Sequence, residues 1–366
     1  PNMWLHANIS GLGEVYNSLG LIVYSDVTGS LTQLVALSSF LHYFSNIIKE
    51  NQRIILFNLF ILSSPVIIFL LSGAKFLLFP QLVTTLVLYF LVRNKQLSKN
   101  LFVLVVFLLC GAASFKLSFF ISGIILGIVA LIKINFNYKL IFKATLIALL
   151  FFAPKALFNF YNIKHFGFVD IFSVVPDEFV SNLKNFRENN FFFPINLFIP
   201  ESLGKISTVL GIHSLFFFLM KDLNKENIQI LTIGMAVSIL YFFYSMAVGR
   251  MYYEILLWLS LCIVFHGNFK ISIQTINFFL FISSSVVFLL IIFGLYNLAP
   301  SLLSNQLRKE VMINNAHEYQ AANWINEKIG KEKVVMTNLR SIALLNARSI
   351  PMDYLNYNIP TAKLGG

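Results

Sequence analysis

Long apolar runs, separated by short polar or charged breaks, dominate this chain from residue 31 to residue 299. The runs are continuous and lack the strict alternation that is typical of half-buried strands, so they predict helices. A helix needs about 20 apolar residues to cross the hydrocarbon core of a membrane. The candidate spans are 31–48, 54–72, 76–92, 101–114, 117–132, 140–158, 207–220, 228–247, 251–266 and 275–299. The pattern therefore predicts an all-α polytopic membrane protein with about ten transmembrane helices.

Lysine and arginine lie mostly in alternate short loops, and cytoplasmic loops of membrane proteins have an excess of both. The loops 49–53, 93–100, 133–143, 221–227 and 266–275 contain Lys49, Arg53, Arg93, Lys95, Lys99, Lys133, Lys139, Lys143, Lys221, Lys225 and Lys270. The short connections on the other side contain only Lys75, Lys116 and Arg250. This bias predicts that the first set faces the cytoplasm in a multi-pass inner (plasma) membrane protein. Dividing 101–132 at 111–116 is needed to keep the alternation.

The composition supports the same class. The chain is 57% hydrophobic and 12% charged, whereas a soluble domain is about 25% charged. These values exclude a soluble globular enzyme and a disordered chain. The net charge of +11 does not indicate nucleic acid binding, because the basic residues follow the loop pattern. Cys110 and Cys262 lie inside apolar runs and are interpreted as core residues, with no disulfide or metal pair.

The predicted spans divide the chain into three parts. Residues 1–30 are interpreted as the end of a first extracytoplasmic loop, 31–299 as the transmembrane domain with an outer loop at 159–206, and 300–366 as the start of an extracytoplasmic soluble domain. The last part predicts an amphipathic helix over 308–329 and a short strand over 333–337, as in a small α/β domain. Because the chain begins with Pro1 and stops at Gly366 without an evident terminal element, we expect a piece of a longer protein.

A set of basic and aromatic residues is predicted at the outer membrane edge, where ionisable residues are candidates for function. Its members are Lys75, Lys116, Lys155, Arg250 and Tyr253. An arginine or lysine at that depth suits a lipid-linked phosphate. The alternative is snorkelling of these side chains to lipid head groups. Arg250, with Tyr252, Tyr253 and Glu254 after it, fits either a head-group clamp or an interfacial anchor with a local ion pair.

The N-terminal segment supplies the candidate catalytic residues His6, Glu14 and Asp26. Such side chains perform general acid–base work or hold a divalent metal ion. No metal-binding motif such as HExxH or DxD occurs in the chain, so no metal ligand is assigned and the cofactor is left unknown. The alternative interpretation is that each is a solvated loop side chain.

Four stretches resemble segments of the C-type (GT-C) superfamily of integral-membrane glycosyltransferases. They are GLGEVYNSLG at 11–20 before LTQLVALSSFLHYF at 31–44, KFLLFPQ at 75–81, GRMYY at 249–253, and HEYQAANWINEKIGKEKVVMTN at 317–338. The resemblance covers nearly the whole chain and is one of architecture first: many spans, outer loops, and a soluble domain after the last span.

The resemblance implies transfer of a sugar from a polyprenyl-phosphate donor to a lipid, glycan or protein acceptor on the outer face of the membrane. It implies a donor-phosphate role for Arg250. The key acid of the family follows the first span and would fall upstream of Pro1, so it is not assigned to a residue here. Polyprenyl-phosphate sugar and membrane lipid are the expected partners.

Two other functions remain open. An O-antigen-type glycan polymerase or ligase shares the spans and the large outer loop, but it would need paired outer-loop arginines, and 159–206 contains only Arg187. A transporter predicts internal repeats and helices broken at mid-membrane. No repeat is visible, and Pro65, Pro80 and Pro154 are too few to predict such breaks.

Overall fold

The structure is a computed structural model that describes most of the chain. The described residues are 12, 13, 16, 19, 27–72, 76–163, 194–221, 224–244, 249–266, 268–269, 272–316, 318–329, 332–337 and 345–351. They are mainly α-helical with a few short strands, which confirms the predicted helical class. By internal contacts the chain divides into two compact units, one of residues 6–288 and one of residues 1–5 with 289–366.

Ten α-helices lie in or begin in the described part of the first unit. They are α1 (Thr28–Ile47), α2 (Asn51–Leu62), α3 (Val66–Ser72), α4 (Leu78–Arg93), α5 (Lys99–Phe115), α6 (Phe120–Lys133), α7 (Tyr138–Ile163), α8 (Lys225–Tyr244), α9 (Gly249–Val264) and α10 (Ile273–Leu298). Nine of the ten predicted apolar runs coincide with them. The division of 101–132 is also confirmed, because α5 ends before Lys116 and a short 3-10 turn, Leu117–Phe119, leads into α6.

Helix α4 lies at the centre of the first unit and packs against α1, α5, α6, α8 and α9. It has no charged residue before Arg93, which allows protein to surround it on several sides. Its start is capped from another helix: Oε1 of Gln33 on α1 accepts the backbone N–H groups of Leu77 at 3.1 Å and Leu78 at 3.0 Å. The cap satisfies donors that a helix start otherwise leaves unpaired.

The predicted α-helical span 207–220 is wrong. Two 3-10 helices, Leu203–Thr208 and Ile212–Leu219, occupy this stretch after a shorter turn at Ile195–Leu197. Gly211 between them has φ of +92°, a left-handed conformation that interrupts an α-helix. A 3-10 helix rises about 2.0 Å per residue against about 1.5 Å in an α-helix, so this segment is longer than an α-helix with the same number of residues.

The predicted span 54–72 is interrupted. Helices α2 and α3 bend by 70° at Ser63, Ser64 and Pro65. Polar groups at the bend find partners in the irregular stretch before Gly211. The side-chain Oγ of Ser64 donates to the carbonyl of Leu210 at 2.7 Å, and the backbone N–H of Val66 donates to the carbonyl of Val209 at 3.1 Å. The two interruptions therefore satisfy each other's backbone polar groups.

The five lysine-rich loops meet at one end of the first unit, which we call the basic end. Strand β1 (Met220–Lys221) pairs antiparallel with β2 (Asn268–Phe269) and joins two of these loops. Side chains link the loops further. Nδ1 of His266 lies 3.7 Å from Oε1 of Glu50, and Nδ2 of Asn224 donates to the carbonyl of Phe265 at 2.6 Å. The ring of Phe265 contacts that of Tyr89, whose hydroxyl accepts from Arg93, and Nζ of Lys133 donates to the carbonyl of Asn94 at 2.6 Å. Their common location is what the charge pattern predicts.

One described helix is long and apolar enough to cross a membrane. It is α10 with the 3-10 turn after it, spanning Ile273–Leu302, and its most apolar 18-residue window has a mean hydropathy of 2.7. Helix α2 with α3 would add a second if the bent pair is one span. The expected count of ten spans is not confirmed by length and composition within the described residues, and it stays a prediction.

The second unit contains, after the end of α10, helices α11 (Asn305–Asn315) and α12 (Tyr319–Lys328) and strands β3 (Val334–Thr337) and β4 (Arg348–Pro351). The predicted single helix over 308–329 is therefore two helices, since Glu318 between them has φ of +63°. The predicted strand at 333–337 is confirmed. It pairs in parallel with β4, with Val334 opposite Arg348.

Candidate functional site at the start of helix α9

Helix α9 begins in tight contact with the rest of the first unit, at the end opposite the basic end. Nε2 of Gln81 on α4 donates to the carbonyl of Arg250 at 2.7 Å. Gly249 lies against the backbone of Thr208, where an added Cβ would overlap the Thr208 carbonyl oxygen. Only a glycine permits this approach, so the position of Arg250 is fixed by its neighbours on both sides.

Arg250 is half-buried, and its guanidinium lies over the ring of Phe69, with Cζ 5.8 Å from the ring centroid. Among the described residues, no carboxylate or hydroxyl accepts a hydrogen bond from it. The first N–H groups of a helix also give its N-terminus partial positive charge. Arg250 and the start of α9 therefore combine two sources of positive potential, and no described carboxylate pairs with the guanidinium.

Glu254, one turn further along α9, is fully buried. Its Oε1 accepts from Oγ1 of Thr84 on α4 at 2.5 Å, and its Oε2 accepts from the hydroxyl of Tyr241 on α8. The local ion pair considered for Arg250 and Glu254 is not present. Glu254 instead joins three helices through hydrogen bonds, which is how a buried carboxyl group is tolerated.

The two tyrosines of α9 point to backbone groups of the protein. The hydroxyl of Tyr253 is buried and donates to the carbonyl of Ile61 on α2 at 3.1 Å, close to the bend. The hydroxyl of Tyr252 donates to the carbonyl of Ser238 on α8 at 3.3 Å. Tyr253 thus fixes α9 against α2, and a direct contact with substrate stays a prediction.

Lys116 lies at the same end of the first unit as Arg250. It follows Phe115, whose ring contacts Phe76 and Phe79 at centroid distances of 5.6 and 5.0 Å, at the start of α4. The start of α4 is therefore flanked by α9 and by the end of α5. Of the other predicted phosphate contacts, Lys155 lies on α7 with its side chain outside the described part, and Lys75 lies outside the described residues.

The candidate catalytic residues His6, Glu14 and Asp26 also lie outside the described residues. Gly13 and Tyr16, which are described and lie close to Glu14 in the sequence, pack at the start of α4. A Cβ on Gly13 would lie 3.1 Å from the carbonyl oxygen of Phe115, and the ring of Tyr16 meets that of Phe76 edge-on at 5.3 Å. These contacts bring part of the N-terminal segment to the end that holds Arg250 and Lys116.

Sequence reasoning missed Lys205, which is exposed near the start of α9. Oγ1 of Thr208 donates to the Lys205 carbonyl at 2.7 Å, and Thr208 in turn contacts Gly249. Nζ of Lys205 donates to Oε2 of Glu201 at 2.5 Å, and this hydrogen bond lowers the pKa of the Glu201 carboxyl below its usual value. The only sequence signal was a lysine near the end of the predicted outer loop 159–206.

No group of three or more histidine, cysteine or carboxylate residues with metal-site geometry occurs among the residues that the structure describes. The arrangement at the start of α9 suits an anionic ligand, because the guanidinium of Arg250 lies beside the positive end of the helix.

The fold and this site define a mainly helical protein with at least one helix able to span a membrane and a cationic site at one end of a helix bundle. The family model described as the DUF1420 N-terminal domain matches residues 2–312, and the chain belongs to this family. No curated protein and no solved structure matches the chain.

Proposed function

We propose that this protein is a multi-pass inner-membrane glycosyltransferase of GT-C type that uses a polyprenyl-phosphate sugar on the outer face. The observation that supports it best is Arg250, which lies at the N-terminus of α9 and pairs with no carboxylate among the described residues. Arginine binds phosphate through two parallel N–H groups, and a helix N-terminus adds to that attraction. The ten-span arrangement, with the basic end in the cytoplasm, is part of the proposal.

In this proposal the donor phosphate rests on Arg250, with Lys116 at the same end of the first unit. A carboxylate of the first outer loop, for which Glu14 and Asp26 are candidates, takes the proton from the acceptor hydroxyl. The acceptor oxygen then forms a bond to the sugar C1 as the bond from C1 to the phosphate oxygen breaks, with inversion. The polyprenyl phosphate leaves with the bonding electron pair, and Arg250 stabilises its growing negative charge.

Arg250→Ala in the full-length protein tests this role. Membranes containing the variant are supplied with polyprenyl-phosphate sugars, and sugar transfer is measured against donor concentration. A hydrogen bond to a charged group contributes about 1.5–3 kcal/mol, so the donor KM should rise roughly 10- to 100-fold. Arg250→Lys should recover part of the loss, because it keeps the charge without the planar fork.

Arg53→Ala is the matched control, because Arg53 lies at the basic end and pairs with Glu50 at 2.7 Å. It should leave the donor KM unchanged. An unchanged KM for Arg250→Ala would remove Arg250 from the donor site. Absence of transfer by the wild-type protein from any polyprenyl-phosphate sugar tried would contradict the proposed activity itself.

A transporter is the second candidate, because helices α2 and α3 are separated by a 70° bend, and discontinuous helices form the substrate sites of many transporters. His213 lies beside the bend between α2 and α3 and is fully buried. Its Nε2 donates to the carbonyl of Phe60 at 3.0 Å, which leaves Nδ1 without a partner in the described part of the chain. The packing is tight there, since a Cβ on Gly211 would touch both the His213 ring and Pro65.

Proteoliposomes distinguish the two functions. Concentrative uptake of labelled sugars that is lost in His213→Ala, and retained in the exposed control His266→Ala, would support transport. The sugar-transfer proposal predicts no uptake by the wild-type protein, together with transfer activity in the same vesicles when a polyprenyl-phosphate sugar is present.

A further inference from the structure

A second cationic site lies at the basic end, where α4, α6 and α8 leave a cavity of about 490 Å³ between them. Leu91 and Val92 of α4 and Val129 and Ile132 of α6 form apolar walls, and Ile228 and Ile233 of α8 complete them. Lys95, Gln96, Lys133, Asn135, Gln229 and Thr232 supply the polar lining. The volume falls within the range of about 300–1,000 Å³ that is typical of pockets for small molecules.

The charged side chains among the described residues that line this cavity are Lys95 and Lys133, and no carboxylate lines it there. Nζ of Lys133 donates to the neutral carbonyl of Asn94 at 2.6 Å, and Lys225 on the first turn of α8 repels it electrostatically. None of the ion pairs in the described part of the chain involves Lys95, Lys133 or Lys225. Bringing several ammonium groups together without an acid costs free energy, and an anion between them lowers that cost.

The apolar walls decide what kind of anion fits. A free phosphate ion would use the lysines but would leave the isoleucine, leucine and valine side chains against water. A phospholipid places its phosphate at the lysines and its first acyl carbons along the apolar walls. Each buried CH₂ group contributes favourable free energy, and basic pockets between membrane helices on the cytoplasmic side bind anionic lipid head groups.

We propose that the cavity lined by Lys95, Lys133 and the apolar ends of α4, α6 and α8 binds the phosphate head group of an anionic phospholipid of the cytoplasmic leaflet. The site lies at the end opposite Arg250, so it is separate from the donor site. The inference rests on the proposed membrane orientation and does not depend on sugar transfer. The bound lipid would hold the loops after α4 and α6 against α8.

Native mass spectrometry of the purified full-length protein tests the inference with phosphatidylglycerol and phosphatidylcholine as probes. Phosphatidylglycerol should bind roughly 10- to 30-fold more tightly, since each lysine near an anionic lipid adds a several-fold preference. Lys95→Gln should lose part of the preference, and Lys95→Gln with Lys133→Gln should lose most of it. Because Lys95 is exposed and has no partner among the described residues, its replacement tests binding with no expected effect on folding.

The control is Lys139→Gln with Lys143→Gln, which removes the same charge from exposed positions on α7 at the same end. It should keep the preference for phosphatidylglycerol. Equal binding of the two lipids, or an unchanged preference in the Lys95 and Lys133 variants, would overturn the inference. Thermal stabilisation by inorganic phosphate or glycerol phosphate as large as that by phosphatidylglycerol would also overturn it, because the site would then be one for a free phosphate. Sugar-transfer assays with the same variants keep this result separate from that of Arg250.

Discussion

Helices α9 and α10 follow one another in the sequence and have opposite environments. Helix α9 contains Arg250 and Glu254, yet nearly all of its residues are buried. Helix α10 has no charged residue, and only Ile276, Leu280, Ser283 and Val287 are buried among its 26 residues. The more polar helix is inside and the more apolar helix is outside. This is the reverse of a water-soluble protein, and it fits a bundle whose surroundings are hydrocarbon.

The largest expected effect comes from placing a charge on the exposed face of α10. Phe288 is 62% exposed and lies near the middle of the helix. Phe288→Asp should raise the free energy of insertion by about 3 kcal/mol, because a carboxylate at mid-helix is costly in hydrocarbon. The tail after α10 should then remain on the cytoplasmic side in a large share of molecules. Labelling of a cysteine introduced by Gln306→Cys measures that share, and Phe288→Leu is the control.

A smaller effect, a loss of stability, is expected from a substitution inside α9. Glu254→Ala removes the acceptor for Thr84 and Tyr241 in a buried site, so it should lower the free energy of unfolding by about 2–3 kcal/mol. Ser285→Ala on α10 removes only an exposed hydroxyl bonded to its own helix and should change stability by less than about 0.5 kcal/mol. Thermal unfolding in a mild detergent compares the two. Equal losses would contradict the contrast between the helices.

The smallest expected change in stability comes from replacing a glycine with alanine on each of the two helices. Gly249→Ala on α9 pushes a methyl group into the Thr208 carbonyl and should cost about 1–2 kcal/mol of stability through strain. Gly294→Ala on α10 meets no described atom within 4 Å, and it should stabilise the helix by up to about 1 kcal/mol. The same thermal unfolding assay measures both. A destabilising Gly294→Ala would show that this face of α10 is packed.

The apolar runs predict most helices of the bundle because length and composition are local properties of the sequence. The prediction fails at 207–220, where Gly211 has a φ of +92° and packs against Pro65 and His213. It also fails at the bend between α2 and α3, since the partners of Ser64 and Val66 come from residues more than 140 positions away in the sequence. Both failures depend on contacts that no short window contains.

Only the residues of the candidate site that have a local signal in the sequence could be predicted. Arg250 stands out because a cation in an apolar region is costly, and that cost is visible in the sequence. The partners of Glu254 are not visible, because Thr84 lies 170 residues away and Tyr241 lies on another helix. Gln33 was likewise missed, although it caps α4, since a lone glutamine in an apolar run has no distinctive pattern.

Cysteine labelling from one side of the membrane tests the central claim most directly, namely that the basic end and the Arg250 end lie on opposite sides. Lys139→Cys and Lys205→Cys place exposed thiols at the two ends, and the parent chain, whose Cys110 and Cys262 lie within α5 and α9, is the blank. In intact spheroplasts, a membrane-impermeant maleimide should label Lys205→Cys at once and Lys139→Cys only after permeabilisation. Equal labelling of both positions before permeabilisation, or labelling in the reverse order, would contradict the account.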